Sequence, residues 1–381
     1  METENKFKNK YLKELALLFL KLGTISFGGP AAHIAMMEDE IVKKRKWVDE
    51  QHFLDLIGAT NLIPGPNSTE MAIHIGHERA GWKGLIVAGL CFTLPAVIIT
   101  GVFAVLYKEY GQLPQVQPFI YGIKPAIIAI ILAAIYPLAR KSLKTIELGI
   151  IGIIALILCF IDINEIFVMF GAGFIALALA AIRNYKVNSV NSILPFAFLQ
   201  FSNTGFLNFS NLSIFLTFLK IGAILYGSGY VLFAFLDTEL VAKGILSRQQ
   251  LIDAIAVGQF TPGPVFSSVT FIGYQINYFS GALLATIAIF LPSFLFVALL
   301  NPLVRKMRNS KLFSAFLNAV NVASIAIIVA ICYQMGKDTI SDWRTIVIAF
   351  ISLIVVFGFK KINSALVVIG GAGLGYILNF F

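Results

Sequence analysis

Long apolar runs, separated by short polar connections, set the character of this chain. The stretches 84–107, 146–161, 281–300 and 345–359 carry almost no charge and approach or exceed the length that crosses a hydrocarbon layer. A helix needs about 20 residues to span that layer of roughly 30 Å. The runs are continuous rather than alternating, which predicts helices and not the strands of an outer-membrane barrel. The expected fold is therefore all-α and polytopic. Within the apolar runs, glycine and proline recur in clusters, at FGGP (27–30), PGP (64–66) and PGP (262–264). Proline removes a backbone donor and clashes with the preceding turn, so each cluster predicts a broken or re-entrant helix at membrane depth.

The same pattern occurs twice. FLKLGTISFGGP at 19–30 is answered by FLKIGAILYGSG at 218–229, and NLIPGPNS at 61–68 by QFTPGPVFS at 259–267. Asp55 pairs with Asp253, Ile75-Gly76 with Ile272-Gly273, Gly84 with Gly281, and Leu94-Pro95 with Leu291-Pro292. The offset drifts only from 199 (218 − 19) through 198 (262 − 64) to 197 (272 − 75). Two similar apolar stretches would not keep Lys, Asp, Gly and Pro in step by chance, so the chain is a tandem repeat. It divides into a first repeat domain at 1–188, a linker at 189–210 and a second repeat domain at 211–381. Within the linker, 192–209 is a candidate extra crossing.

Charge adds orientation. The chain carries a net charge of +9, and its basic residues lie in short loops. That placement follows the positive-inside rule and argues against nucleic acid as a partner. KKRK at 43–46 reads the same way, as a loop facing lipid headgroups. Equivalent loops alternate in charge between the repeats. Lys108 and Glu109 balance, where the second repeat has Arg305, Lys306, Arg308 and Lys311. Arg140, Lys141 and Lys144 then face a balanced 336–344. The alternation predicts two halves inserted with inverted topology, as in many secondary transporters. The N-terminus, charged and then apolar without a small-residue cleavage site, reads as a cytoplasmic tail.

Breaks at matching positions of two halves point to a transporter's binding site. After each PGP a new helix is expected to begin, with Asn67, Ser68 and Thr69 in its first turn in one half and Phe266, Ser267 and Ser268 in the other. Free N–H groups, a partial positive charge, hydroxyls and an amide suit a tetrahedral oxyanion. The candidate substrate-binding set is Gly28, Gly29, Pro64, Gly65, Asn67, Ser68, Gly227, Pro262, Gly263, Ser267 and Ser268. Lys21 and Lys220 join it as paired intramembrane cations, with snorkelling toward an interface as the bland reading. Glu70, His74 and His77 share one helix face and, with Asp55, are candidates for proton coupling. A salt bridge is the competing reading for Asp55 and Asp253, and a polar mouth for the histidines. Nothing in the spacing of Cys91, Cys159, Cys332 or the four histidines supports a metal site. No cofactor is expected. There is no GxxxxGK[ST] loop, and GGAGLG at 370–375 lies in an apolar run and reads as helix packing.

The stretch FGGPAAHIAMMEDEIVKKRKWVDEQHFLD (27–55), followed by LIPGPNSTEMAIHIG (62–76), resembles the chromate transporter (CHR) family. The second series, with TPGP at 261–264, is similar to that family's long, two-domain form. The resemblance covers nearly the whole chain. It implies an inner-membrane, multi-pass carrier that exports chromate, driven by the membrane gradient, with sulfate as a related or competing anion. Membrane lipid and the oxyanion are the implied partners, and a homodimer is compatible with this. The motif residues are Phe27, Gly28, Gly29, Pro30, Trp47, Pro64, Gly65 and Pro66; the second half has Ser228-Gly229 for Gly29-Pro30 and Ile245 for Trp47. The expected mechanism is alternating access around the PGP breaks. An anion channel and a proton-linked carrier of another small anion are the alternatives. An intramembrane enzyme would require more than the Glu70/His74/His77 face, and a cation carrier more carboxylates within the spans.

Overall fold

The structure is a computed structural model that describes residues 2–161, 163–184, 210–227, 229–308, 310–359 and 362–380. Residues 189–209 of the linker, with its candidate crossing, lie outside the described residues. All regular structure among them is helical. The first half contributes α1 (Glu2–Ile25), α2 (Gly29–Glu38), α3 (Glu50–Thr60), α4 (Asn67–Tyr110), α5 (Gln117–Ser142), α6 (Ile146–Phe160) and α7 (Glu165–Asn184). The second contributes α8 (Asn211–Ile224), α9 (Val231–Leu236), α10 (Arg248–Phe260), α11 (Ser268–Arg308), α12 (Lys311–Thr339), α13 (Trp343–Gly358) and α14 (Ser364–Leu378). The repeat extends to the caps. Asp49 accepts from the His52 N–H at the start of α3, and Ser247 closes a capping box with Gln250 at the start of α10. Side-chain oxygens there satisfy N–H groups that the helix itself cannot.

Five of the described helical segments are long and apolar enough to cross a membrane. Their outer faces, and those of shorter apolar helices, leave large side chains such as Leu283, Ile153, Phe167 and Phe350 uncovered. That surface is what a lipid-facing protein presents, since hydrocarbon does not penalise it. This is a multi-pass membrane protein.

Each half has a third break that the motifs do not announce. Ala80 and Gly81 leave helical geometry inside α4 (Gly81 at φ 60°, ψ −148°), and Asn277 and Tyr278 do so inside α11 (Tyr278 at φ 46°, ψ −143°). Gly76 and Gly84 then pack so closely that a Cβ on either would overlap the other's carbonyl; Gly273 and Gly281 repeat the contact. Residues eight apart on a straight helix would stand about 12 Å apart. Both long elements are therefore helical hairpins that double back on themselves.

The halves interlock. α1 packs on α4 and α8 on α11, each within its own half, while α4 and α11 pack on one another. Beyond them the partners are exchanged: α5 packs on α13 and α14, and α12 on α6 and α7. Gly122 of α5 lies against Gly371 and Gly375 of α14, the GGAGLG stretch, where small residues let two helices approach closely. One apolar core runs through both halves, joining residues such as Ile127 and Met169 to Phe218 and Val320.

Candidate functional site

The two PGP loops are buried, and each reaches across to the opposite half, forming a crossing. Each connects a short helix to a hairpin: α3 to α4 through 61–66, and α10 to α11 through 261–264 and a 3-10 turn at Val265–Ser267. Gly65 sits at φ +136° and Gly263 at φ +92°, a region that disfavours side chains. Their N–H groups do not bond within their own half. Gly65 donates to the carbonyl of Leu225 and Gly263 to that of Ser26, both at 2.8 Å. Leu225 and Ser26 are equivalent positions, each just before the glycine break of its repeat (225 − 26 = 199). Each PGP turn is thus tied to the FGGP-type break of the opposite half.

A Cβ at Gly65 would fall onto the Glu70 carboxyl and Ser293 Oγ; one at Gly263 would press on Ala96 Cβ at 3.0 Å. Ser293 and Ala96 are themselves equivalent (293 − 96 = 197). Ser293 of α11 donates to Glu70 Oε1 at 3.4 Å, so the first turn of α4 meets the far arm of the other hairpin.

The polar side chains here are buried. Ser68, Thr69, Glu70, His74, Ser267 and Ser268 are each 1% exposed or less. Five atoms in this group, Thr69 Oγ1, Glu70 Oε2, His74 Nε2, Ser267 Oγ and Ser268 Oγ, have no hydrogen-bond partner among the described residues. A buried polar group left unmatched costs about 1–3 kcal/mol. A concentration of them at two helix starts is the signature of a site that a polar ligand completes. Backbone donors add to it, because the first N–H groups of a helix have no partner inside it. Thr69 and Glu70 already donate to the Pro66 carbonyl, which leaves the Asn67 and Ser68 N–H groups at the very start.

Other candidates are placed less centrally. Asn67 is half-buried and its amide donates to Asn61 at 2.8 Å. Pro64 and Pro262 are buried beside their glycines, whereas Gly28 and Gly227, at φ +102° and +96°, are exposed. Gly29 is half-buried at φ +80°. His77 sits edge-on to Trp82. Asp55 accepts from Gln51 on its own helix at 3.4 Å. Its repeat partner Asp253 is buried, accepts from Tyr107 at 2.6 Å and pairs with Lys124 at 3.4 Å.

The two lysines are not free cations. Lys21 bonds Glu40 at 2.8 Å, and Lys220 bonds Glu239 at 2.6 Å. Each glutamate also takes a lysine four residues on, Lys44 or Lys243. Both lie in π-helical turns, Asp39–Lys44 and Asp237–Val241. The Lys21 hydrogen bond holds the Glu40 carboxyl below the usual range. Burial works against Glu239, but Lys220 and Lys243 outweigh it and hold that carboxyl low as well. The lysines therefore latch α1 and α8 to the segments beyond their breaks.

One central residue escapes sequence reasoning. His33 of α2 is buried, with Nδ1 3.2 Å from Ser68 Oγ and Nε2 3.1 Å from the Ser26 carbonyl. A carbonyl only accepts, so Nε2 carries the proton; on a neutral ring Nδ1 then accepts from the Ser68 hydroxyl. Ser26 O thereby receives both His33 and Gly263. The one signal available was position, three residues after FGGP, because the second repeat has Leu232 there.

The sequence profile described as Chromate transporter matches residues 13–177 and again 212–376. The chain belongs to the chromate transporter family. The two matches confirm the tandem repeat and the long form. Among relatives of this family member, it is 32% identical to a probable chromate transport protein of Synechococcus elongatus, over 96% of this chain and 95% of that one. It is 30% identical to a chromate transport protein of Cupriavidus metallidurans, over 96% and 93%. An uncharacterized transporter of Methanocaldococcus jannaschii is 27% identical over 99% and 96%. No solved structure matches. Membership in a family of transport proteins places this one among transport proteins rather than enzymes, and in bacteria such a helical protein lies in the inner membrane.

Proposed function

We propose that this protein is a secondary active transporter of a tetrahedral oxyanion, chromate foremost, with sulfate competing for the same site. The observation that carries the reading is the set of unmatched buried hydroxyls at the crossing: Thr69 from one repeat, Ser267 and Ser268 from the other. A tetrahedral dianion presents acceptors in all directions. Hydroxyls and N–H groups of two converging helix starts supply donors from both halves. The names of the Synechococcus and Cupriavidus relatives support chromate as the anion.

Glu70 decides the coupling. A carboxylate against an oxyanion repels it, whereas a carboxyl that carries a proton donates to it. In this reading Glu70 is protonated while the anion is bound, and His74, one turn along the same buried face, takes or supplies that proton. His77 and Asp55 complete this reading as further candidates for the proton's path.

Alternating access follows from the interlocked repeats. With the halves inverted, as the loop charges imply, the crossing stays near mid-membrane while the hairpins rock around it. The Lys21–Glu40 and Lys220–Glu239 latches open in turn, one per face. In an open state a released lysine adds its charge to the anion's path.

The test is uptake of labelled chromate and of labelled sulfate into proteoliposomes, with and without imposed pH and voltage gradients. Saturable, gradient-dependent chromate flux inhibited by sulfate is the expected result. Flux that rises linearly with concentration and ignores the gradient would replace the carrier with a channel.

A further inference from the structure

Glu70 is a carboxyl placed at the crossing with no cation beside it. It is fully buried, and among the described residues no lysine, arginine or histidine pairs with it. Lys21 and Lys220 are already bound to Glu40 and Glu239. What holds Glu70 is neutral. Ser293 donates to Oε1, which also lies against the Gly65 turn, and Oε2 is left unmatched. Three titratable groups stand around it. Tyr226 directly follows Leu225, the acceptor of the Gly65 N–H, and is close enough to feel the Glu70 charge. His74 lies one turn along α4, and His33 of α2 reaches the nearby Ser68.

This arrangement sets a condition on the anion. A charge buried without a counter-ion is strongly disfavoured, and such groups neutralise by taking up a proton. The hydroxyls of Thr69, Ser267 and Ser268 supply hydrogen bonds but no positive charge. A proton between Glu70 Oε2 and an anion oxygen supplies what these residues do not. The complex is the same whether that proton arrives on the carboxyl or on the anion. The more basic the anion, the more strongly it draws on the shared proton, and a charge-assisted bond of this kind is roughly twice as strong as a neutral one.

Tetrahedral oxyanions differ widely in this respect. Chromate takes a proton near neutral pH, whereas sulfate and selenate do so only in strong acid. Resting on the transport reading above, we propose that the crossing selects oxyanions by their capacity to share one proton with Glu70, so that chromate is held as the equivalent of hydrogenchromate and sulfate is the weaker ligand because of its basicity rather than its size. One proton passes between Glu70 Oε2 and one anion oxygen, and no other bond is made or broken. A site that hydrogen-bonds a substrate's proton rejects analogues that lack it, because its own buried polar group is then left unpaired.

Selenate separates basicity from size, since it is close to chromate in bond length and to sulfate in basicity. Exchange of labelled for unlabelled chromate is measured at neutral pH in proteoliposomes of the full chain, with selenate or sulfate as competitor. In the wild-type protein both are expected to inhibit at least about tenfold more weakly than unlabelled chromate, the loss of one hydrogen bond to a charged group. Selenate should rank beside sulfate. Glu70→Gln donates an N–H but holds no transferable proton, so it should lose most of the preference for chromate over selenate. Glu70→Asp, which keeps the proton on a shorter arm, should retain more of it. Selenate competing as well as chromate in the wild type would assign selectivity to size and overturn selection by basicity, with the carrier left standing, and that arm needs no variant. An undiminished preference in folded Glu70→Gln would overturn it too. A wild-type protein without saturable chromate exchange would overturn the transport reading itself.

Discussion

The N–H of Gly65 donates to the carbonyl of Leu225 at 2.8 Å, and the N–H of Gly263 repeats the bond to Ser26. Each turn, built by one half, is thereby anchored on the helix break of the other. Neither half can complete the crossing alone, and any rocking motion must keep or exchange these bonds together.

Gly65→Ala tests that anchoring. The added methyl meets Glu70 and Ser293, and the residue must hold φ +136°. The strain is about 1–3 kcal/mol. Chromate flux should fall at least about tenfold, with a lower melting temperature in detergent. Gly29→Ala, where a Cβ meets nothing within 4 Å but φ is +80°, should cost less. Equal effects would mean that backbone strain alone matters.

Glu70→Gln separates donation from proton transfer. The amide can still donate to the anion, so equilibrium exchange of labelled for unlabelled chromate should persist. Net flux should lose its response to an imposed pH gradient. A variant that keeps the full response would remove Glu70 from the coupling path.

His33→Ala leaves the Ser68 hydroxyl and part of the Ser26 carbonyl's bonding unmatched. The expected cost is about 1–3 kcal/mol in stability, read by thermal melting, together with weaker chromate flux. His33→Gln, which can still donate toward Ser26, should recover part of both. Wild-type behaviour of His33→Ala would show that the histidine only fills space.

The latch at Glu239 gives a pH dependence. Its carboxyl sits below the ordinary value of 4.5 in the folded protein. A depressed carboxyl pKa contributes stability that is present above the unfolded value and lost as pH falls through the folded one. The melting temperature should therefore drop as pH falls below 4.5. Glu239→Gln should be less stable at neutral pH and show a flatter acid limb. Parallel acid limbs in the two proteins would place the titrating group elsewhere.

The repeat, the helical class and both pairs of glycine breaks were legible because they rest on residues with few substitutes. Proline lacks an N–H, and Gly28, Gly65, Gly227 and Gly263 all hold positive φ. The breaks at Ala80-Gly81 and Asn277-Tyr278 were not legible, since Asn and Tyr do not announce a reversal; what forces it is the contact of Gly76 with Gly84 and of Gly273 with Gly281. Lys21 and Lys220 were visible as paired intramembrane cations, but nothing in the pattern singled out their glutamates, 19 residues on. Lys124 and Asp253 lie 129 positions apart (253 − 124) in different repeats, a pairing that only the exchanged packing of α5 creates.

The central claim is that the two helix starts after the PGP turns hold the anion between them. Half-saturation for labelled chromate in proteoliposomes of Thr69→Val, Ser267→Ala and Ser268→Ala tests it most directly. Each change removes one unmatched buried hydroxyl with little change of shape, so the protein should insert and melt as well as wild type or better. The account predicts that each raises half-saturation about fivefold or more, since a hydrogen bond to a charged group contributes about 1.5–3 kcal/mol, and that sulfate inhibition weakens in parallel. Unchanged half-saturation in all three, with the protein folded and transporting, would contradict it.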